Sequence, residues 1–214
     1  FTTGEVSRRE QIGFFLKAID QTILGVTNVE IQVQFEGDKA ALDKINGDES
    51  IPQKLNEIGI FRRINEKDES VPLILGLHEA EGTKKIFGLA SLIFDALQDG
   101  KTLLIDEFDA RLHPNLTRKL VELFHDPELN VGNGQLVFVT HDSNLLDSQL
   151  LRRDQICFAT KDQYGATSLY SLVELKGIRN NAQFEKEYLE GRYQAVPTNL
   201  IQFDRILSSF AKDA

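Results

Sequence analysis

Between Gly82 and Gln98 the chain sets Ile86, Leu89, Ala90, Ile93 and Leu97 on one stripe, with Phe87 and Phe94 beside it. Apolar residues at that spacing predict a helix with one buried face. Asp99-Gly100 predicts its end, and TLLI at 102–105 predicts a short strand. A second helix is expected over about 115–125, with Leu116, Leu120, Leu123 and Phe124 turned inward. A second apolar strand follows at 135–140 (QLVFVT), then a helix over 143–151. Strand and helix alternate here, and the strands are continuously apolar, which predicts a parallel sheet covered on both faces.

The flanking pattern is less regular. Ile12, Phe15, Leu16 and Ile19 predict an amphipathic helix over 7–19, and the alternation Val29, Ile31, Val33, Phe35 predicts a half-buried strand over 28–35. Residues 36–57 are polar, charged and turn-rich, as in a surface excursion, and VPLILGL at 71–77 predicts a short strand. Beyond residue 154, QICFAT and TSLYSL predict two strands joined by a turn at Gln163-Tyr164-Gly165. Residues 182–214 read as polar and mostly helical.

Composition narrows the class without choosing a function. At 214 residues, 41% hydrophobic and 27% charged, the chain can bury a sizeable core and is neither disordered nor fibrous. No apolar run reaches the roughly 18 residues of a membrane span, and no signal peptide is visible. The single Cys157 excludes an internal disulfide framework and fits a reducing cytoplasm. In an apolar strand it reads as a small core residue. A net charge of −9 disfavours unspecific nucleic-acid binding, although a local basic patch is compatible with it. His78, His113 and His125 lack the spacing of zinc ligands.

The candidate chemistry sits where the apolar strands end. Asp106, Glu107 and Asp109 follow the first, and His141-Asp142 ends the second. Packing does not call for carboxylates there. In open α/β sheets, ligands bind beyond the carboxyl ends of the strands. One carboxylate at such a position organises Mg²⁺ through its water shell, and a second, one residue on, polarises a water attacking a γ-phosphate. Asp106 and Glu107 fit those roles in that order, and His141 is placed to report on the γ-phosphate. Asp109 also fits a plain turn or N-cap residue.

The run EAEGTKKIFGLA, KTLLIDEFDARLHPNLTRKLVELF and QLVFVTHDSNLLD resembles the C-terminal half of an ABC-type ATPase head. Within the P-loop NTPase superfamily it is most similar to bacterial ATPases grouped with overcoming-lysogenization-defect and abortive-infection proteins, with SMC-type chromosome proteins more distant. The resemblance is strong over residues 76–160, and GRYQAVP at 191–197 extends it. It implies a three-layer α/β half-domain with a mostly parallel sheet, a β-hairpin and a helical C-terminal tail. The expected division is 1–75 for an insertion or lid region, 76–175 for the ATPase core and 176–214 for the tail.

The resemblance also implies roles. Glu79–Lys84 resembles the signature motif, in which Glu81, Gly82, Thr83 and Lys84 present a helix N-terminus to a γ-phosphate held by a partner subunit. Asp106 and Glu107 resemble Walker B, Asp109 opens the D-loop region (109–113), and His141 resembles the switch histidine. ATP and Mg²⁺ are the implied ligands. The implied assembly is a homodimer acting as a switch on a separate nuclease or toxin, in defence against phage.

Three departures stand out. Ala80 replaces the signature serine, a lost charge-assisted bond worth about 1.5–3 kcal/mol. His113 stands at the D-loop aspartate position. No GxxxxGK[ST] phosphate loop occurs anywhere, and no Met, so the chain is expected to be the C-terminal part of a longer ATPase, inactive alone. Two other readings use the same residues. Ala80 suits a nucleotide-binding scaffold without turnover, and Asp106, Glu107, Asp109 and Asp142 suit a Toprim-like two-metal nuclease. Lys84-Lys85 and Arg152-Arg153 read as solvated pairs.

Overall fold

The computed structural model describes residues 7–32, 54–63 and 69–196. Helix α1 (Arg8–Ile19) starts at Ser7, whose side chain accepts the Glu10 N–H while the Glu10 carboxylate accepts the Ser7 N–H at 2.8 Å. That reciprocal cap satisfies two otherwise unpaired donors. Leu16 is buried, and Ile12 and Phe15 pack against the same core, as their spacing predicts. Ile19, in the last turn, is exposed instead.

An antiparallel sheet follows, ordered β1 (Ile23–Gln32), β2 (Lys54–Arg63), β3 (Ser70–Ile74). Strand β1 begins five residues before the expected strand, whose Val33 and Phe35 lie outside the described residues. The expected surface excursion over 36–57 is corrected at its end. Residues 54–57 form the start of β2, paired with 29–32 of β1. A backbone ladder needs no apolar side chains, so a polar segment enters a strand once a partner lies beside it. The strand expected over 71–77 stops at Ile74, and Leu75–His78 forms one helical turn, α2.

Helix α3 (Glu81–Asp99) carries its stripe as predicted, with Ile86, Ala90, Ile93, Ala96 and Leu97 buried. Gly100 ends it at φ 72, a left-handed conformation that glycine adopts without steric cost. Strand β4 (Thr102–Ile105) pairs in parallel with β5 (Gln135–Phe138), from Thr102 opposite Gln135 to Ile105 opposite Phe138. Helix α4 (Pro114–His125) connects them, with Thr117, Leu120 and Val121 buried.

The α/β class expected from the sequence holds. Parallel pairing lies between β4 and β5, and the other two sheets of the described residues are antiparallel. The two faces of β4–β5 differ. Leu103, Ile105, Leu136 and Phe138 pack against the core, while Leu104 is 72%, Val137 53% and Val139 58% exposed. Continuously apolar strands predict burial of both faces. Within the described residues, helices cover one.

The helix expected over 143–151 is a single 3₁₀ turn, Ser143–Leu145, followed by irregular turns. The Asp142 and Asp147 carboxylates accept the N–H groups of Asn144 and Gln149 at 3.0 and 2.8 Å. Such bonds compete with helix continuation. Strands β6 (Cys157–Lys161) and β7 (Thr167–Ser171) form the expected hairpin, and Asp162 accepts Tyr164 N–H and Ala166 N–H within its turn. Cys157 is exposed, not in the core. Phe158 points inward instead and stacks on Tyr188 at 5.6 Å, in a second cluster with Leu172, Ile178, Phe184 and Tyr193. The expected helical tail is short: α5 (Phe184–Leu189) is its helix up to residue 196, and 197–214 lie outside the described residues. No helix among the described residues is long and apolar enough to cross a membrane.

One ion network ties the antiparallel sheet to the entrance of α3. Arg62 of β2 makes two bonds to Glu79, at 2.8 and 2.5 Å, and also reaches Asp20 at 2.5 Å. The Glu79 side chain is 2% exposed. Glu79→Ala therefore leaves a half-buried guanidinium with only Asp20 and the Thr22 hydroxyl as side-chain partners. It should cost about 3 kcal/mol in urea unfolding, whereas Arg62→Met with Glu79→Leu should cost clearly less. Equal losses in the two variants would contradict this account of the pair.

Candidate functional site

Strand β4 delivers two carboxylates into solvent and then turns sharply inward. Asp106 and Glu107 are both exposed, and Asp106 Oδ1 accepts the Glu107 N–H at 2.9 Å. Glu107 has φ 49, in the left-handed region that residues other than glycine seldom occupy. The chain then buries Phe108 completely, with its ring 4.8 Å from that of Phe138 and its N–H bonded to the Val139 carbonyl at 2.9 Å. The Val139 N–H in turn reaches the Ile105 carbonyl at 3.0 Å. The parallel ladder thus runs on past both strands and holds their ends together.

Asp109 completes that junction. Its Oδ1 accepts the Thr140 hydroxyl at 2.7 Å and the His141 N–H at 3.1 Å. Burial raises the Asp109 pKa, but the bonds from Thr140 and His141 outweigh it and hold the carboxyl below its ordinary value. Asp109 so ties the carboxylate turn to the backbone of the candidate histidine, whose side chain is exposed. Thr140 is a member of this group that the sequence did not single out. Its hydroxyl also accepts the Asp142 N–H at 3.0 Å. Asp142 Oδ1 accepts both the N–H and the amide of Asn144, and its Oδ2 is buried without a hydrogen-bond partner.

The start of α3 meets the same turn. Ala80 is the N-cap and makes no side-chain cap bond, so the first N–H groups of a 19-residue helix have no hydroxyl or carboxylate placed over them. An uncapped helix start of this kind, with its dipole, favours an anion. Glu81 pairs with Lys84 at 2.8 Å and also with Arg111. The Lys84 bond, chiefly, holds the Glu81 carboxyl below its ordinary value. A Cβ on Gly82 would stand 2.8 Å from the Arg111 carbonyl oxygen, so a side chain there would push the two segments apart. Thr83 is half-buried in the first turn.

Lys85 is not the solvated residue its sequence context suggests. Its ammonium group donates to the carbonyls of Glu107 at 2.6 Å, Ala110 at 3.0 Å and Phe108 at 3.2 Å. Arg153, likewise read as solvated, bonds Asn180 and the Ile178 carbonyl, and Arg152 pairs with Asp154. His113 serves as the N-cap of α4, accepting the Asn115 N–H at 3.2 Å ahead of Pro114. The fold therefore brings Asp106, Glu107, Asp109 and His141 to one end of β4–β5. Glu81, Gly82, Thr83 and Lys84 lie at the helix start that abuts it.

The donor set suits one kind of cation. Asp106 is exposed and has one oxygen on the Glu107 N–H, which fits an ion that keeps most of its water shell and needs a single carboxylate, as Mg²⁺ does. A two-metal centre is poorly served, because Asp109 is committed to Thr140 and His141, and Asp142 to Asn144. Among the described residues, no three His, Cys, Asp or Glu side chains gather as metal ligands.

A family model described as "AAA domain, putative AbiEii toxin, Type IV TA system" matches residues 5–147, which contain every residue of this site. No curated protein matches the chain. Among solved structures, one described as "Structural biochemistry of ATP-driven dimerization and DNA stimulated activation of SMC ATPases" is similar at 12% identity and a TM-score of 0.49, covering 87% of this chain and 91% of its own.

Asp109 makes a pH prediction. Its folded pKa is lowered, so its contribution to stability is full above the unfolded value of about 4 and is lost as pH falls through the folded value. Asp109→Asn keeps an acceptor oxygen and removes the charge. In urea unfolding, the stability gap between wild type and this variant should be constant above roughly pH 5 and narrow below about pH 4. A gap that stays the same through that acid range would refute the assignment.

Proposed function

The chain belongs to the family of AAA domains of the AbiEii type, an ATPase-like domain, and from that premise we propose that it supplies the hydrolysis half of an ATPase whose sites close across a dimer. The reading is supported by one juxtaposition above all. The exposed Asp106-Glu107 turn and the backbone of His141 meet beyond the same strand ends and are tied together by Asp109.

In this reading Glu107 orients the attacking water and accepts its proton, and His141 donates to the γ-phosphate. Asp106 would hold Mg²⁺, which supplies charge neutralisation at the phosphate oxygens. The first N–H groups of α3, at Glu81, Gly82 and Thr83, would face the γ-phosphate bound by a second copy of the chain. Glu81 is a carboxylate at the mouth of an anion site. Lys84 and Arg111 both pair with it, so the trio carries one net positive charge. The 214 residues hold no phosphate loop, so binding the triphosphate tail is assigned elsewhere in the full-length gene product.

The assembly would be a cytoplasmic ATP-dependent switch in anti-phage defence, acting on a separately encoded nuclease or toxin. Residues 76–175 would form its ATPase core, residues 1–75 a lid or insertion and residues 176–214 a tail. One observation favours a second reading. Ala80 supplies neither a cap nor a hydroxyl for a partner's phosphate, which suits a scaffold that binds nucleotide without turning it over.

The two readings separate on Glu107→Gln in the full-length gene product. ATP turnover should fall by roughly 10²- to 10⁴-fold while ATP binding is kept, because general-base catalysis contributes that much. A folded wild type that binds ATP and does not hydrolyse it would overturn the ATPase reading in favour of the scaffold.

A further inference from the structure

Two segments 22 to 25 residues apart in sequence are joined by one side chain, Lys85. A lysine ammonium has three N–H donors and no acceptor, and here Glu107, Phe108 and Ala110 offer three carbonyls to it. Bonds from a charged donor are shorter and stronger than neutral ones. They fall on the stretch where Glu107 adopts its left-handed backbone, a conformation that persists only where its surroundings enforce it. Two further contacts join α3 to this turn, the Glu81–Arg111 pair and the approach of the Arg111 carbonyl to Gly82. Both of those grip the turn at Arg111, whereas the Lys85 bond reaches the residue that carries the candidate general base.

We propose that Lys85 is a positioning residue, fixing the Glu107 backbone from helix α3 so that the helix start and the glutamate move as one unit. The proposal rests on the ATPase reading above. In a two-fold dimer the start of α3 closes the partner's site while Glu107 serves the site of its own chain. Lys85 then links the two sites, and seating of a phosphate against the helix in one sets the reach of the base in the other.

The test compares Lys85→Met and Lys85→Arg with wild type in the full-length gene product. Lys85→Met should lower kcat by about 10- to 100-fold, the usual penalty for a misplaced catalytic group, with KM for ATP changed less than about twofold. The cooperativity of turnover with ATP should be lost with it. Lys85→Arg, which still donates to carbonyls, should recover most of kcat. Independently of turnover, amide hydrogen exchange at Phe108, Ala110 and Leu112 should quicken in Lys85→Met while the amides of α4 exchange as in wild type. Unchanged exchange at those three amides, or an unchanged kcat beside an active wild type, overturns the assignment of Lys85 alone. An equal loss of kcat in both variants also overturns it, because the arginine keeps the donors. No turnover in wild type overturns the ATPase reading and the proposal together.

Discussion

Phe108 buries its ring against Phe138 and gives its N–H to the Val139 carbonyl, and the rest of the site is arranged around that fixed point. The two carboxylates precede it and Asp109 follows it. Because Phe108 must go inward, the chain turns at Glu107, and Asp106 and Glu107 are left outside. The same contact brings the end of β5 alongside, so that Thr140 and His141 come within reach of Asp109. A hydrophobic anchor of this kind contributes about 1.5–3 kcal/mol by burial, which is ample to hold a short turn in one place. The geometry of the candidate site is therefore set by packing, and the polar bonds refine it.

Much of this fold can be read from the residues because the signals are local. The start and end of α3 follow from an apolar stripe and a single glycine, and the hairpin β6–β7 from the runs QICFAT and TSLYSL with the turn at Gln163-Tyr164-Gly165 between them. What escapes the sequence depends on distant partners. The polar residues 54–57 become a strand only because β1 lies beside them. Leu104 and Val137 have the composition of a doubly buried sheet, yet which face is covered depends on where α3 and α4 pack. The segment after Asp142 reads as a helix in sequence, but two aspartates cap the backbone locally and break it into turns.

The site divides in the same manner. Asp106, Glu107 and His141 can be picked out because strand ends offer no packing reason for them. Asp109, read as either a ligand or a turn residue, is a connector that holds its charge on Thr140 and His141. Lys85 could not have been found, because its acceptors are backbone carbonyls and leave no mark in the residue types around it. Arg62 and Glu79 form a pair for which two isolated charges in sequence give no hint, and this pair ties β2 to the residue just before the α3 N-cap.

The central claim is that a nucleotide at the strand ends of one chain is closed by the helix start of another. The direct measurement is the sedimentation of the full-length gene product with Mg²⁺ and a non-hydrolysable ATP analogue, against the same protein without nucleotide. The account predicts a shift from monomer to dimer on adding the analogue, with two nucleotides bound per dimer. An unchanged mass at full occupancy by the analogue would contradict closure in trans.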